Sequence, residues 1–219
     1  MTDDELAELA ERFEHAPAGE VLRWAGATFG ADLVVAAAMT LDVVLVDLAA
    51  QAIPGVEVVF LETHEHFPET LATAAAVERR YPIALRRYAP DPAAVVDKQY
   101  LTDPNACCNA RKVLPLERAL AGRKAWVTGM RRVDADTRVE IPVVQRDKRG
   151  LVKINPIASW TDEDIASYAA DHDVPLNPLL QQGYPSIGCA PCTRQVAPGE
   201  HGRAGRWAGQ GKTECGLHV

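Results

Sequence analysis

Short apolar runs that alternate with helix-forming segments are the feature that most restricts how this chain can fold. Strand-like runs occur at 33–38, 56–61, 83–87 and 124–128, and helices are predicted between or after them at 42–52, 68–80, 92–98 and 107–121. The first run is wholly apolar, which is typical of a strand buried on both faces of a parallel sheet. The alternation predicts an α/β fold with a doubly wound, mostly parallel sheet that binds ligands at the carboxyl ends of its strands.

Helical and hairpin segments flank this alternating region. Apolar residues at helical spacing predict two N-terminal helices, at 3–13 and 18–28, which form a helical arm over residues 1–30. An edge hairpin is predicted within 141–154. A capping-box pattern predicts a further helix over 162–170.

The composition is that of a globular chain with a full core, because 47% of the residues are hydrophobic. A length of 219 residues suggests one domain with a mobile extension. The sequence contains no run of about 18 apolar residues that could form a membrane helix. Its acidic start lacks the basic and apolar regions of a signal peptide. We therefore expect a cytoplasmic protein with no membrane partner.

The charge is unevenly distributed along the chain. A net charge of −7 argues against general binding to nucleic acid. Residues 107–138 nevertheless carry eight Lys or Arg against three Asp or Glu, and residues 193–219 carry four against two. These locally positive regions favour a small anionic ligand. A solvated basic surface is the simpler alternative.

Five cysteines divide into two pairs and one remaining residue, and in a cytosolic chain they favour metal binding or catalysis over structural disulfides. The pairs are Cys107 with Cys108, and Cys189 with Cys192. Neighbouring residues on a helix point about 100° apart, so a vicinal pair reaches one centre only if the centre is large or the turn opens. This spacing favours a 4Fe-4S cluster. A zinc site, a redox disulfide within Cys189–Cys192 and buried free thiols stay open as alternatives.

The fifth cysteine, Cys215, lies near the end of a glycine-rich tail that leaves the backbone free to move. Lys212 and His218 flank it and favour the nucleophilic thiolate, whereas Glu214 opposes them. A mobile nucleophile is therefore predicted. An incidental cysteine in a disordered terminus is the alternative.

Clustered cations are candidates for holding a phosphate or sulfate by forked hydrogen bonds. Lys112 follows the vicinal cysteines by about one helical turn and can face the same pocket. The other candidates are Arg131, Arg132 and Arg138 in one loop and Arg203 and Arg206 in the tail. For both Lys112 and Arg111, a surface salt bridge is the simplest interpretation. The loop at 37–42 lacks glycine, so we interpret it as an ordinary βα connection rather than a phosphate site.

Four segments carry a more specific signal: CCNARKVLPL at 107–116, GYPSIGCAPCTR at 183–194, RAGRW at 203–207 and ECGLH at 214–218. Together they closely resemble the iron–sulfur adenylyl-sulfate (APS) reductases of bacterial sulfate assimilation, and the similarity extends from about residue 33 onward. The resemblance implies an adenine-nucleotide-hydrolase type of α/β domain over 31–192 and a mobile catalytic tail over 193–219. It departs from the family at Ala37 and Ala38, where serines are common.

The resemblance also implies roles for individual residues. Cys107, Cys108, Cys189 and Cys192 would hold a 4Fe-4S cluster, and Cys215 would be the nucleophile. Lys112, Arg203 and Arg206, with one or more of Arg131, Arg132 and Arg138, would hold the phosphate and sulfate. Thr63 would lie at a strand end on the nucleotide side.

The implied reaction is the reduction of APS to sulfite and AMP through an S-sulfocysteine on Cys215, with thioredoxin as the reductant. We also expect a homo-oligomer. A reductase of 3′-phospho-APS (PAPS) and a non-catalytic iron–sulfur or zinc-binding regulator are the rival interpretations. An ATP pyrophosphatase is disfavoured because residues 37–41 lack a Ser-Gly-Gly loop.

Overall fold

The computed structural model describes residues 1–212 and 214–218. Strands alternate with one or more helices between residues 33 and 128. The strands are β1 (Leu33–Ala36), β2 (Glu57–Leu61), β3 (Ala84–Tyr88), β4 (Ala125–Thr128), β5 (Val144–Arg146) and β6 (Val152–Ile154). The helices are α1 (Asp3–Phe13), α2 (Ala18–Phe29), α3 (Val43–Ala52), α4 (Pro68–Arg80), α5 (Gln99–Thr102), α6 (Pro104–Cys108), α7 (Leu114–Leu120) and α8 (Asp162–Asp171).

The six strands form one sheet in the order β3-β2-β1-β4-β6-β5. Five of them are parallel, and β5 pairs antiparallel with β6 at one edge. The chain proceeds from β1 to β2 and β3 on one side and then crosses to β4 on the other. This reversal creates a switch point between β1 and β4, where open α/β sheets bind their ligands. The predicted doubly wound, mostly parallel sheet is confirmed.

The two faces of the sheet are covered differently. One face packs against α1 to α4 and α8 in the main core, where Val35, Val58 and Val127 are fully buried. The other face carries a smaller cluster in which Trp126 packs with residues of α7. Leu217 of the C-terminal tail packs against that second cluster. The tail therefore helps α7 to cover this second face of the sheet.

Helices α1 and α2 are part of the main core. Thr2 and Glu5 form a capping box that starts α1, and the buried face of the two helices contributes Phe13 and Leu22. The Phe13 and Trp24 rings lie 5.1 Å apart between centroids. Apolar burial of this kind stabilises the fold by about 1.5–3 kcal/mol for each large side chain.

Two predicted helices differ from the structure. The helix expected at 92–98 is replaced by a short 3₁₀ turn followed by α5, because Lys98 has a left-handed backbone (φ 49°). The helix expected at 107–121 is interrupted by a π turn over Asn109–Val113. Pro115 has no N–H to donate to the carbonyl four residues earlier, which explains why the regular α pattern does not continue there.

The helix over Asp162–Asp171 begins with the predicted capping box of Thr161 and Asp164. None of the helices within the described residues combines the length and the apolar character that crossing a bilayer would require.

Candidate active site

A cavity of about 690 Å³ opens at the carboxyl ends of β1, β2 and β4. Ala37 and Ala38 follow β1 in its wall, Thr63 follows β2, and Gly129 follows β4. The cavity therefore occupies the switch point of the sheet, where the topology predicts a ligand site.

The loop after β1 is organised around the carboxylate of Asp42. This carboxylate accepts hydrogen bonds from the backbone N–H groups of Ala38 (2.5 Å) and Thr40 (2.8 Å). Burial raises the pKa of Asp42. Gly129 permits the close approach of β4, since an added Cβ there would lie 2.8 Å from the Asp42 Cβ. These two amides therefore donate to a carboxylate of their own loop rather than to a ligand, as in an ordinary βα connection.

A second, smaller cavity is lined by all four paired cysteines. Cys107 and Cys108 end α6 directly before the π turn, and both are buried. Cys189 and Cys192 flank a short turn closed by a 3.0 Å bond from the Cys192 N–H to the Cys189 carbonyl. Burial raises the pKa of the Cys107 and Cys108 thiols, and it raises the pKa of Cys192 to about 11. The structure brings together the two pairs, which lie about 80 residues apart in the sequence.

The segment after β2 connects these two pairs. The Arg111 guanidinium donates to the Thr63 carbonyl (2.7 Å) and lies 3.3 Å from a Glu65 carboxylate oxygen. Cys189 Sγ lies 3.6 Å from the Thr63 hydroxyl, and the Ala190 N–H donates to the Glu65 carbonyl at 2.7 Å. Arg111 is buried in the wall of the cysteine cavity, so its interpretation as a surface salt bridge is wrong. Its position four residues after Cys107 was the available sequence signal.

Taken as a set, the His, Cys, Asp and Glu side chains of residues 1–212 and 214–218 include no group of three or more that could hold a metal ion. The 4Fe-4S cluster and its four ligands therefore stay a prediction.

Lys112, Arg206 and Trp207 line both cavities and form the wall between them. Burial by itself would lower the pKa of Lys112, but electrostatic attraction by the nearby Cys189 and Cys215 sulfurs outweighs burial, so the pKa of Lys112 is raised. A lysine that interacts electrostatically with thiols from both cavities is well placed to hold an anion between them.

Arg206 is held tightly in that wall. Its guanidinium lies 4.3 Å from the centre of the Trp207 ring and donates to the Ile187 carbonyl (3.2 Å). Gly188 makes this possible, because an added Cβ would lie 2.4 Å from Arg206 Nη2. Within the described part of the chain, the buried Arg206 Nε has no hydrogen-bond partner. This donor is available to an anion in the cavity.

The three arginines of the 131–138 loop have different environments. Arg131 and Arg138 line the large cavity. Arg131 Nη2 contacts Asp134 and Asp162, both at 2.8 Å. Arg132 does not line the cavity. It pairs with Glu14 through Nη2 and Oε2 at 2.8 Å, next to α1, so its expected role as an anion ligand is corrected to a structural ion pair.

The tail returns to the cavity through residues 203–212 and 214–218; Thr213 and Val219 lie outside the described residues. Glu214 accepts hydrogen bonds from Arg138 (2.7 Å) and from Arg203 (3.3 Å). Cys215 lines the large cavity, as Arg203 and Arg206 also do. The structure thus places the predicted nucleophile together with six of the seven residues expected to bind substrate.

The last described residues secure the tail beyond Cys215. Gly216 has a left-handed backbone (φ +84°), and a Cβ added there would lie 3.6 Å from Val113 Cγ2 in the π turn. The His218 ring stacks on Trp126 with centroids 5.7 Å apart and an angle of 3° between the planes. Burial and the nearby cations Lys153 and Arg138 hold the pKa of His218 well below its usual value. From the sequence, Glu214 was expected only to oppose the Cys215 thiolate, and no local pattern predicted that His218 packs on Trp126.

Comparison with known proteins agrees with this geometry. The model of the phosphoadenosine phosphosulfate reductase domain matches residues 33–195. The chain is 51% identical over 228 residues to the adenosine 5′-phosphosulfate reductase of Streptomyces coelicolor, an alignment that covers 99% of this chain and 96% of that protein.

Solved structures extend the comparison. A phosphate complex of the phosphoadenylyl-sulfate reductase from Candida auris matches with a TM-score of 0.78 at 28% identity, covering 90% of this chain and 98% of that chain. The FMN adenylyltransferase of Candida glabrata shares the fold, with a TM-score of 0.61 at 14% identity over 86% of this chain and 65% of that chain. The sequence and structural matches, together with the cavity at the switch point, show that this chain belongs to the phosphoadenosine phosphosulfate reductase family.

Proposed function

We propose that this chain reduces adenosine 5′-phosphosulfate to sulfite and AMP in sulfate assimilation. The observation that carries the proposal is the shared cavity of Cys215, Lys112 and Arg206 at the strand ends. A thiol beside two cations can attack an anionic electrophile whose negative charge those cations offset. Relatives with about half of their residues identical carry the name of this activity.

The reaction begins with the thiolate of Cys215. Its sulfur attacks the sulfur of the sulfate group, the bond from that sulfur to the bridging phosphate oxygen breaks, and AMP leaves with the electron pair. The product on the enzyme is an S-sulfocysteine. Covalent catalysis of this kind divides one difficult displacement into two easier steps.

A protein dithiol of the thioredoxin class completes the reaction. One of its thiolates attacks Sγ of the modified Cys215, and sulfite departs with the electrons of the broken sulfur–sulfur bond. The second thiol then breaks the mixed disulfide, which restores the Cys215 thiol and leaves the dithiol oxidised by two electrons. Since a protein partner must reach Cys215, the tail has to leave its docked position during each cycle.

Lys112 and Arg206 hold the anion during the attack. Both line the cavity with Cys215, and Arg206 Nε is a buried donor with no partner among the described residues. As charge moves onto the departing phosphate, these two cations stabilise it in a partly enclosed site. Thr63 is held by Cys189 and Glu65 and contributes a wall of the nucleotide cavity.

The cysteine cavity fits a 4Fe-4S cluster by the chemistry of its donors. Cys107, Cys108, Cys189 and Cys192 supply four thiols on one cavity, and Arg111 and Lys112 supply positive charge beside them. Fe–S clusters are held by four such thiolates. When bound, the cluster supplies a fixed charge distribution beside the anion site. We further propose a cytoplasmic homo-oligomer.

The first experiment asks whether Cys215 becomes sulfonated. We expect Cys215→Ser to bind the nucleotide and release no sulfite. In the wild-type protein, APS labelled in its sulfate group should transfer label to the tail peptide in the absence of a reductant. Normal turnover by Cys215→Ser would contradict the mechanism. Preparation without air, with iron and sulfide counted, tests the cluster independently, because a preparation without iron would exclude it.

PAPS is the second candidate substrate. The observation in its support is the structural similarity to the phosphoadenylyl-sulfate reductase of Candida auris. Initial rates with each nucleotide at equal concentration decide between the two. A higher kcat/KM for APS is the expected result.

A further inference from the structure

Glu214 directly precedes the proposed nucleophile, and its hydrogen bonds have no role in the proposed reaction steps. Its two carboxylate oxygens accept three hydrogen bonds from Arg138, at 3.0 Å from Nε and at 2.7 and 2.9 Å from Nη2. Arg203 Nη2 adds a fourth at 3.3 Å. The side chains of Glu214 and Arg138 are only 19% and 10% exposed. A forked, largely buried pair of this kind is stronger and more directional than a surface ion pair.

Arg138 is held in place from the other side by the main domain. Its Nη1 lies 3.5 Å from Asp134, and Asp134 also accepts a 2.8 Å bond from the buried Arg131. The loop therefore presents Arg138 in a defined orientation. Glu214 is the partner that the tail contributes.

The tail is also attached on the other side of Cys215, through contacts of a different kind. Leu217 packs against the cluster around Trp126, and the His218 ring stacks on that tryptophan. Between these contacts and Glu214, Gly216 turns the chain with φ +84°. Cys215 is therefore fixed by an ionic anchor one residue before it and an apolar anchor two and three residues after it.

We propose that Glu214 is a positioning residue that closes the tail by pairing with Arg138 and Arg203. The pair places Cys215 over the cavity for attack, and its loss opens the tail. This inference rests on the proposed function, since it concerns the same nucleophile. Arg138 then binds the tail rather than the substrate, and Lys112 and Arg206 hold the substrate anion.

Loss of the Glu214 carboxylate should change kcat more than the KM for APS. In Glu214→Gln the anion ligands Lys112 and Arg206 are unchanged, so the KM for APS should stay within about threefold. The fraction of molecules with Cys215 in position falls, so kcat should fall by about 10- to 100-fold. If Glu214 instead competes with the substrate anion for Arg138, Glu214→Gln would lower the KM and raise kcat/KM. That outcome would overturn the proposal.

The exposure of Cys215 provides a readout independent of turnover. The intact protein is treated with iodoacetamide, and the rate of modification of the Cys215 peptide is measured by mass spectrometry. We expect about tenfold faster modification in Glu214→Gln than in the wild type. We call the attachment of Glu214 to Arg138 and Arg203 the latch. An unchanged rate of Cys215 modification would contradict the latch, because the tail would then be equally open with and without the Glu214 carboxylate.

A charge exchange and a matched control complete the design. The double variant Glu214→Arg with Arg138→Glu should recover kcat relative to either single variant; two effects that merely add would contradict the pairing. The control is Glu200→Gln, which removes a forked pair with Arg194 (2.8 and 2.9 Å) in the exposed part of the same segment. Its kcat and its rate of modification should equal those of the wild type.

Failure of the latch and failure of the proposed function give different results. If Cys215→Ser is inactive while Glu214→Gln behaves as the wild type, the latch is wrong and the nucleophile stands. If Cys215→Ser turns over normally, the proposed function is wrong whatever Glu214 does. Circular dichroism and thermal unfolding of each variant confirm that the compared proteins are folded.

Discussion

The two ends of the chain both pack against the central sheet, but through different physical interactions. The N-terminal end forms two regular helices whose buried side chains, including Phe13, Val21 and Leu22, belong to the main core. The C-terminal end has no regular helix or strand within residues 207–212 and 214–218. Its last described residues, 214–218, are attached by the ion pairs of Glu214, by Leu217 and by one stacked ring.

The two kinds of attachment differ in how easily each end of the chain can detach from the domain. Apolar burial is proportional to area and is difficult to reverse without unfolding. An attachment made of the ion pairs of one carboxylate, one leucine and one ring contact can open while the rest of the domain stays folded. We therefore propose that the N-terminal helices stabilise the domain, whereas the tail can be released from it.

The largest expected effect is at the N-terminal end. Phe13→Ala removes a ring that is 1% exposed and should lower the free energy of unfolding by about 3–5 kcal/mol. The KM of the remaining folded enzyme should be unchanged. Urea denaturation followed by circular dichroism measures the loss, and Leu101→Ala at an exposed site should change stability by less than about 0.5 kcal/mol. A loss of activity without a loss of stability would contradict a purely structural role for this end.

A smaller effect, on binding rather than stability, is expected at Gly188. In Gly188→Ala the new methyl group would overlap the Arg206 guanidinium, whose nearest atom lies 2.4 Å from the ideal Cβ position. Because this is the end of a flexible side chain, Arg206 should move away and the KM for APS should rise about tenfold, which corresponds to about 1.4 kcal/mol. Gly19→Ala, where the nearest atom is 3.4 Å away, is the control and should leave the KM unchanged. An unchanged KM in Gly188→Ala would exclude Arg206 as an anion ligand.

The smallest effect concerns the pH dependence of tail docking. The docked His218 has a lowered pKa, whereas the released tail should have the ordinary pKa of about 6.5. Docking is therefore unaffected well above pH 6.5. Below that value only the released tail takes up a proton, so each further pH unit disfavours docking by up to about tenfold until the docked His218 also titrates.

The measurement is the ratio of kcat at pH 5.5 to kcat at pH 7.5, compared between the wild type and His218→Phe. Any pH effect on the reaction that does not involve His218 is shared by both proteins and cancels in the comparison. The ratio should be lower in the wild type, because phenylalanine keeps the ring contact with Trp126 and cannot be protonated. Parallel pH profiles would show that His218 does not control docking.

Much of the architecture could be predicted from local patterns. The helix over Pro68–Arg80 has the predicted bounds, and the apolar strands led to the correct sheet type. The vicinal Cys107 and Cys108 do precede an opened helical turn, although Pro115 divides the segment that was predicted as one helix. These features depend on interactions between residues a few positions apart, which a sequence displays directly.

The α/β alternation, the division of five cysteines into two pairs and a tail thiol, and the candidate cations can all be identified from the order of the residues. The pairing of each cation with its anion depends on the folded chain. Arg132 pairs with Glu14, directly after α1, while Arg138 of the same loop pairs with Glu214, 76 residues away. No local pattern separates these arginines, because a long charged side chain finds its partner according to which distant segments the fold brings within hydrogen-bond distance.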